Sequence, residues 1–222
     1  MIRGILFDLD GTLIDSEREV AEAMARALQR RSGIVVEQYD RDFIIGRSWV
    51  AIYDSLRARY PQLAWTRAET IAHTVELRAE VIAERGLTVL PGAREALQWT
   101  RGGYARGLVT GSSRQEVELV LPYLGEHAAF DVVVAAEDVD RSKPAPDGYV
   151  KAIGALGLAP RECLVIEDSE AGIAAGRAAG CTVLAVRAGN FGGWAQDRAH
   201  LVVETLADLT PSLVDRLARD YG

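Results

Sequence analysis

A chain of 222 residues with 49% hydrophobic and 26% charged side chains has the material for one large domain or for one core carrying an insertion, and on folding removes about 70–75% of its unfolded surface from water. Disorder, collagen and coiled coil are excluded by the same composition. Lys plus Arg at 25 against Asp plus Glu at 32, a formal net charge of −7, has the wrong sign for gripping nucleic acid through its phosphates, so an anionic ligand calls for a local positive site.

The first element is the run Ile2 to Phe7, whose apolar residues are continuous rather than alternating, as in a strand buried on both faces of a parallel sheet. An acid interrupts it before a signal-peptide core can form. No apolar stretch approaches the ~18 residues of a membrane helix, so a soluble cytoplasmic protein without a membrane partner is expected. The strand runs into Phe7-Asp8-Leu9-Asp10-Gly11-Thr12-Leu13. In extended chain residues i and i+2 share a face, so Asp8 and Asp10 approach one point beyond the strand's carboxyl end, where open α/β sheets bind ligands. Crowded carboxylates repel unless a cation lies between them or one keeps its proton, and hard oxygens suit Mg²⁺. The pair equally serves as a turn cap, with Gly11 supplying φ > 0.

From Asp15 to about Gly86 the strand rhythm stops. This stretch carries the helix-start patterns Ser16-Glu-Arg-Glu19 and Thr66-Arg-Ala-Glu69, with breaks near Gly33, Gly46 and Pro61. A helical cap over residues 16–86 is expected, inserted into a core of 1–15 and 87–222, with hinges near Asp15 to Glu17 and Arg85 to Pro91. After it come strands at Arg106 to Val109, Val132 to Ala135, Cys163 to Ile166 and Thr182 to Val186, and a weaker one at Leu201 to Val203. Between and after them lie helix signals: the capping box Ser113-Arg-Gln-Glu116, Asp147 to Leu156 stopped by Gly157, and a start near Pro211. The order predicts an α/β fold, a doubly wound, mostly parallel, Rossmann-like sheet with an inserted helical domain. Cys163 and Cys181 sit in apolar stretches outside any metal spacing and read as buried reduced thiols.

Three further strand ends carry polar groups. Val109-Thr110-Gly111-Ser112-Ser113 offers a hydroxyl and backbone N–H groups at a helix start, suited to phosphate or to plain capping. Ser142-Lys143-Pro144-Ala145-Pro146-Asp147 holds Lys143 on a loop stiffened by two prolines. Val165-Ile166-Glu167-Asp168-Ser169 ends an apolar strand in adjacent acids, whose burial without a partner costs several kcal/mol that a bound cation removes. All four segments fall on loops at one edge of the predicted sheet and combine carboxylates for a divalent metal with a hydroxyl and an amine for a transferring phosphoryl group.

On these four motifs the chain resembles the haloacid dehalogenase superfamily, in the branch with a helical cap after the first strand that includes phosphoglycolate phosphatase, sugar-phosphate phosphatases and β-phosphoglucomutase. The resemblance spans essentially the whole chain. It implies a Mg²⁺-dependent phosphatase of a small phosphorylated metabolite. Asp8 is then the nucleophile that forms an aspartyl-phosphate, Asp10 the general acid and base, Thr110, Gly111, Ser112 and Lys143 the phosphoryl-binding groups, and Thr110 and Lys143 part of the catalytic set. Mg²⁺ is held by Asp8, the Asp10 main chain and Asp168, with Glu167 orienting metal-bound water. By the same resemblance, mutases carry a histidine where this chain has Val20 and an arginine where it has Trp49. Arg47, to grip an anion, and Trp49, to stack on a sugar, are the expected cap specificity residues. The alternatives are a phosphosugar mutase, a metal-free haloacid dehalogenase, against which Asp10 argues, and a non-catalytic binding domain. His73, His127 and His200 lie outside every motif and receive no catalytic role.

Overall fold

The computed structural model describes residues 1–45, 47, 49–125 and 128–222. Along the chain, β1 (Gly4–Phe7) and the short β2 (Ile14–Asp15) precede α1 (Glu17–Ser32), α2 (Gln38–Ile44), α3 (Trp49–Arg59) and α4 (Arg67–Arg85). Then follow β3 (Thr88–Val89), α5 (Ala93–Thr100), β4 (Ala105–Val109), α6 (Arg114–Leu124), β5 (Val132–Val134) and α7 (Asp147–Leu156). The chain finishes with β6 (Cys163–Glu167), α8 (Glu170–Ala178), β7 (Thr182–Val186), β8 (Leu201–Val203) and α9 (Pro211–Tyr221). It divides into two compact units, one of Met1–Asp15, Thr88–Asn190 and Trp194–Gly222, the other of Ser16–Leu87 and Phe191–Gly193.

In the first unit six strands form one parallel sheet in the order β5-β4-β1-β6-β7-β8. β1 lies between β4 and β6, with Ile5 opposite both Arg106 and Leu164. Strand order therefore reverses at β1, the switch point where such sheets place ligands at their carboxyl edge. Ile5, Leu6, Phe7, Leu164, Val165, Ile166, Val183 and Leu184 are all 0% exposed, which explains why these runs do not alternate. Each such side chain contributes about 1.5–3 kcal/mol by leaving water.

The strands agree with the sequence reading except at their ends. β1 starts at Gly4 rather than Ile2, β4 includes Ala105, β5 stops at Val134, and β6 continues through Glu167. The last difference is chemical: an acid ends an apolar run by composition, yet Glu167 keeps strand pairing with Ala185 because its side chain is satisfied within the fold. The antiparallel pair β2 and β3, with Ile14 opposite Val89, has strands too short to express a period.

The second unit is helical. Met24, Leu28, Ile44, Ile52, Leu56 and Leu63 form its core, with Trp49, Tyr60 and Trp65 packed against them. The Thr66–Glu69 capping box forms, and Gly33 ends α1 at φ 66°. The expected Ser16–Glu19 box does not form, because Ser16 is already helical (φ −93°, ψ −9°), whereas a capping hydroxyl needs an extended backbone. The break expected at Gly46 lies outside the described residues. No helix among the described residues is long and apolar enough to cross a membrane.

Cys163 and Cys181 are free and buried, and burial pushes their thiols up to about 11 and about 12. Only the thiolate reacts. At about pH 8 the native protein should therefore leave both thiols untouched by a disulfide-exchange reagent, with both titrating in denaturant; stoichiometric labelling of the native protein contradicts this.

Candidate active site

The site begins where β1 ends. The Asp8 N–H donates to the Ile166 carbonyl (3.0 Å), so Asp8 emerges at the carboxyl edge still held by the sheet. The chain then doubles back: Leu13 and Ile14 N–H groups both donate to the Leu9 carbonyl (2.9 and 3.1 Å), and the Gly11 N–H to Ile14 (2.8 Å). Gly11 has φ 84°, and a Cβ there would lie 2.4 Å from Asp168 Oδ2. Only glycine satisfies both the turn and the approach of the acid.

Behind the turn, two of three clustered acids grip one ammonium. Lys143 Nζ donates to Asp8 Oδ1 (2.5 Å), Glu167 Oε1 (2.6 Å) and the Val109 carbonyl (3.0 Å). Its loop is closed by the Ala145 N–H on the Ser142 carbonyl (3.0 Å). Glu167 is 0% exposed; Oε1 also accepts from Tyr149 Oη (2.9 Å), and Oε2 from Ser169 Oγ (3.0 Å) and the N–H groups of Asp168 (3.1 Å) and Ser169 (3.2 Å). A Cβ at position 172 would fall 1.7 Å from Glu167 Oε1, so Gly172 admits this carboxylate against α8. Asp168 Oδ1 accepts from Thr12 Oγ1 (3.3 Å).

Electrostatics make this cluster costly without a further cation. Burial, opposed by Lys143 and reinforced by Glu167, lifts Asp8 from 3.8 to about 7. Burial and the neighbouring Glu167 and Asp8 charges hold Asp168 well above the carboxylate range. Lys143 is also raised, which for an amine favours the charged form: burial would lower it, but Asp8 and Glu167 carry it well above its usual value. Asp8, Glu167 and Asp168 each bring a carboxylate oxygen within 4.8 Å of the others. One ammonium among three buried carboxylates leaves negative charge that a hard divalent cation fits.

Asp10 is gripped from the loop after β4. Its Oδ2 accepts from Ser112 Oγ (2.6 Å) and from Thr110 Oγ1 (3.5 Å), and Thr110 Oγ1 in turn accepts from the Ser112 N–H (3.0 Å). The loop after β4 thus reaches the loop after β1 through hydroxyls, ahead of the Ser113–Glu116 capping box that starts α6. Thr110, Gly111, Ser142 and Lys143 line a cavity of about 280 Å³.

The structure therefore brings Asp8, Asp10, Thr110, Ser112, Lys143, Glu167 and Asp168 together on one sheet edge. Arg47 and Trp49 belong to the helical unit, where Arg47 lies over the Phe43 ring (4.2 Å) and Trp49 packs on the unit's core; Ser48 beside them is outside the described residues. His73 meets Trp65 edge-on (4.6 Å), His200 Nδ1 accepts from the Val183 N–H (2.9 Å), and His127 is outside the described residues. Two contributors escaped the sequence reading. Tyr149 is indistinguishable by pattern from an apolar core residue of α7, and Gln196, which donates to the Asp168 carbonyl (2.7 Å), lies in an irregular loop with no motif around it.

A parallel sheet with acids at the end of its first strand and helices inserted between β2 and β3 defines a class, and residues 2–180 match the model of the haloacid dehalogenase-like hydrolases. The chain belongs to that family. Hexitol phosphatase A of Escherichia coli (strain K12) is 37% identical over 188 residues, covering 84% of this chain and 83% of its own. Validoxylamine A 7'-phosphate phosphatase of Streptomyces hygroscopicus subsp. limoneus is 39% identical over 188 residues, 81% of this chain and 83% of its own. CbbY from Rhodobacter sphaeroides, solved in complex with phosphate, shares the fold with a TM-score of 0.77 at 24% identity, covering 94% of this chain and 96% of its own.

Proposed function

We propose that this chain hydrolyses the phosphate monoester of a small polyhydroxylated metabolite, a sugar or sugar alcohol, through an aspartyl-phosphate on Asp8. The observation that carries this reading is the buried Asp8 carboxylate, gripped by Lys143 at 2.5 Å beside Asp168 and two residues before an Asp10 held by hydroxyls. Relatives named as phosphatases of a hexitol and of validoxylamine A 7'-phosphate support the substrate class.

An Asp8 oxygen attacks phosphorus as the bond to the leaving oxygen breaks, and Asp10, entering protonated, gives that oxygen its proton. Asp10 then takes a proton from the water that attacks the aspartyl-phosphate, which frees inorganic phosphate and restores Asp8. The Thr110 hydroxyl and the Gly111 N–H donate to phosphoryl oxygens, and Lys143 offsets the charge of both Asp8 and the phosphoryl group. Asp8, Asp168 and the Asp10 main-chain carbonyl would hold Mg²⁺, which when bound supplies the positive charge that screens the carboxylate from its anionic substrate. Glu167, its oxygens already taken by Lys143, Tyr149 and the Ser169 turn, suits an orienting role outside the direct ligands.

Phosphate release rather than mutase chemistry is supported by Val20 and Trp49, which stand where the mutase pattern has polar groups. The test is turnover on hexitol phosphates, hexose phosphates, glycerol phosphates, phosphoglycolate and nucleoside monophosphates. Phosphate release greatest on hexitol or hexose phosphates, lost in excess chelator and suppressed by Ca²⁺ with its larger coordination shell, is the expected result. Hexose 1-phosphate to 6-phosphate conversion outrunning phosphate release, or full activity in chelator, overturns the reading.

A further inference from the structure

The loop after β7 braces the site from behind. On the β6–β7 side the ladder's last rung is Glu167 opposite Ala185, so the next position on each strand, Asp168 and Val186, reaches the carboxyl edge past that rung. Gln196 is buried, and its Nε2 donates to the Asp168 carbonyl (2.7 Å) and to the Val186 carbonyl (2.8 Å). A primary amide has two N–H donors, and both are spent here. One side chain thereby extends the sheet by a rung, at the residue whose carboxylate enters the acidic cluster.

Two features place Gln196. Asn190 closes the loop ahead of it through reciprocal bonds with Trp194, Nδ2 to the Trp194 carbonyl and the Trp194 N–H to Oδ1, both 2.8 Å. The same loop touches the other side of the site: a Cβ on Gly189 would fall 1.8 Å from the Gly11 carbonyl oxygen, next to Asp10. The loop thus bears on the backbone turn of the first motif and on the backbone of Asp168.

We propose that Gln196 is a positioning residue that fixes the Asp168 backbone so that its carboxylate stays aimed at the divalent-cation position. Asp168 needs such a restraint, because a carboxylate oxygen of each of Asp8, Glu167 and Asp168 lies within 4.8 Å of the others, and like charges that close push apart. Its side chain has Thr12 at 3.3 Å as a hydrogen-bond donor. The inference rests on the metal reading given above.

Gln196→Met keeps the volume and removes both donors. Mg²⁺ alone is titrated into the substrate-free protein by calorimetry, and the half-saturating Mg²⁺ for turnover is measured beside it. The dissociation constant should rise about tenfold or more, as when groups that orient metal ligands are removed, with KM for the phosphoester at saturating Mg²⁺ unchanged. A purely structural role would lower the melting temperature and leave Mg²⁺ affinity of the folded chain intact, and that result overturns the proposal. Should Gln196→Met not fold, Asn190→Ala loosens the loop without touching Gln196; a weaker shift in the same direction supports the brace, and no shift overturns it. A wild-type chain that takes up no Mg²⁺ overturns the metal reading together with this inference, whereas normal binding by both wild type and Gln196→Met overturns the brace alone.

Discussion

Asp8→Asn is expected to remove turnover, by at least about 10³-fold, and at the same time to raise the melting temperature of the metal-free protein. The first effect follows from loss of the attacking oxygen. The second follows from what Asp8 costs the fold. Its carboxyl is lifted from 3.8 to about 7, chiefly by burial, so between these values the native state holds a proton that the unfolded chain gives up. Stability from such a group is fully present below the lower value and is lost as pH rises through the upper one. Asparagine never ionises, so its advantage is absent near pH 4 and greatest above about pH 7, where the shift amounts to about 4 kcal/mol, and a rise of several degrees or more is expected. Equal melting curves for the two proteins at about pH 8 contradict the electrostatic account, and retained turnover contradicts the chemical one.

Lys143→Met should move stability the opposite way. Its ammonium touches Asp8 and the fully buried Glu167 at 2.5 and 2.6 Å; Asp8→Asn leaves it paired with Glu167, whereas its own removal leaves two buried carboxylates without their cation, at a cost of about 3–5 kcal/mol. Turnover should fall by about 10²–10³-fold, the scale of losing a charged donor to a phosphoryl group. Lys143 also holds the Asp8 carboxyl down. Without it the acid limb of the residual pH–rate profile shifts to higher pH. A variant as stable as wild type at neutral pH, with an unmoved acid limb, contradicts this picture. Asp8→Asn up and Lys143→Met down, in the same metal-free buffer, separates a cluster that strains the fold from one that merely decorates it.

Much of this was legible in the residues because the fold and the chemistry write different signals at the same places. Continuous Val, Leu and Ile runs mark strands covered on both faces, and each run at the site ends abruptly in a residue that has no reason to follow a core strand: Asp8, Thr110, Asp168. That contradiction between burial and polarity locates the sheet edge. Glu167 shows the limit of the same signal, since its polarity ended β6 one residue too early while the fold paired it with Ala185. Ser16 shows another, because a capping pattern records side-chain types and not the backbone angle that decides whether the hydroxyl reaches. Tyr149 and Gln196 were illegible for a third reason. Their roles depend on a single atom, Oη or Nε2, aimed at a partner 18 or 28 residues away, and neither periodicity nor local spacing carries information about such a contact.

The most direct test of the central claim is to quench the enzyme in acid during steady turnover of a hexitol or hexose phosphate with Mg²⁺ and to map its peptides by mass. The added mass of a phosphoryl group is expected on the peptide that contains Asp8, absent from Asp8→Asn and from unreacted enzyme. Turnover with no phosphorylated peptide, or with the phosphoryl group on any residue other than Asp8, contradicts the claim.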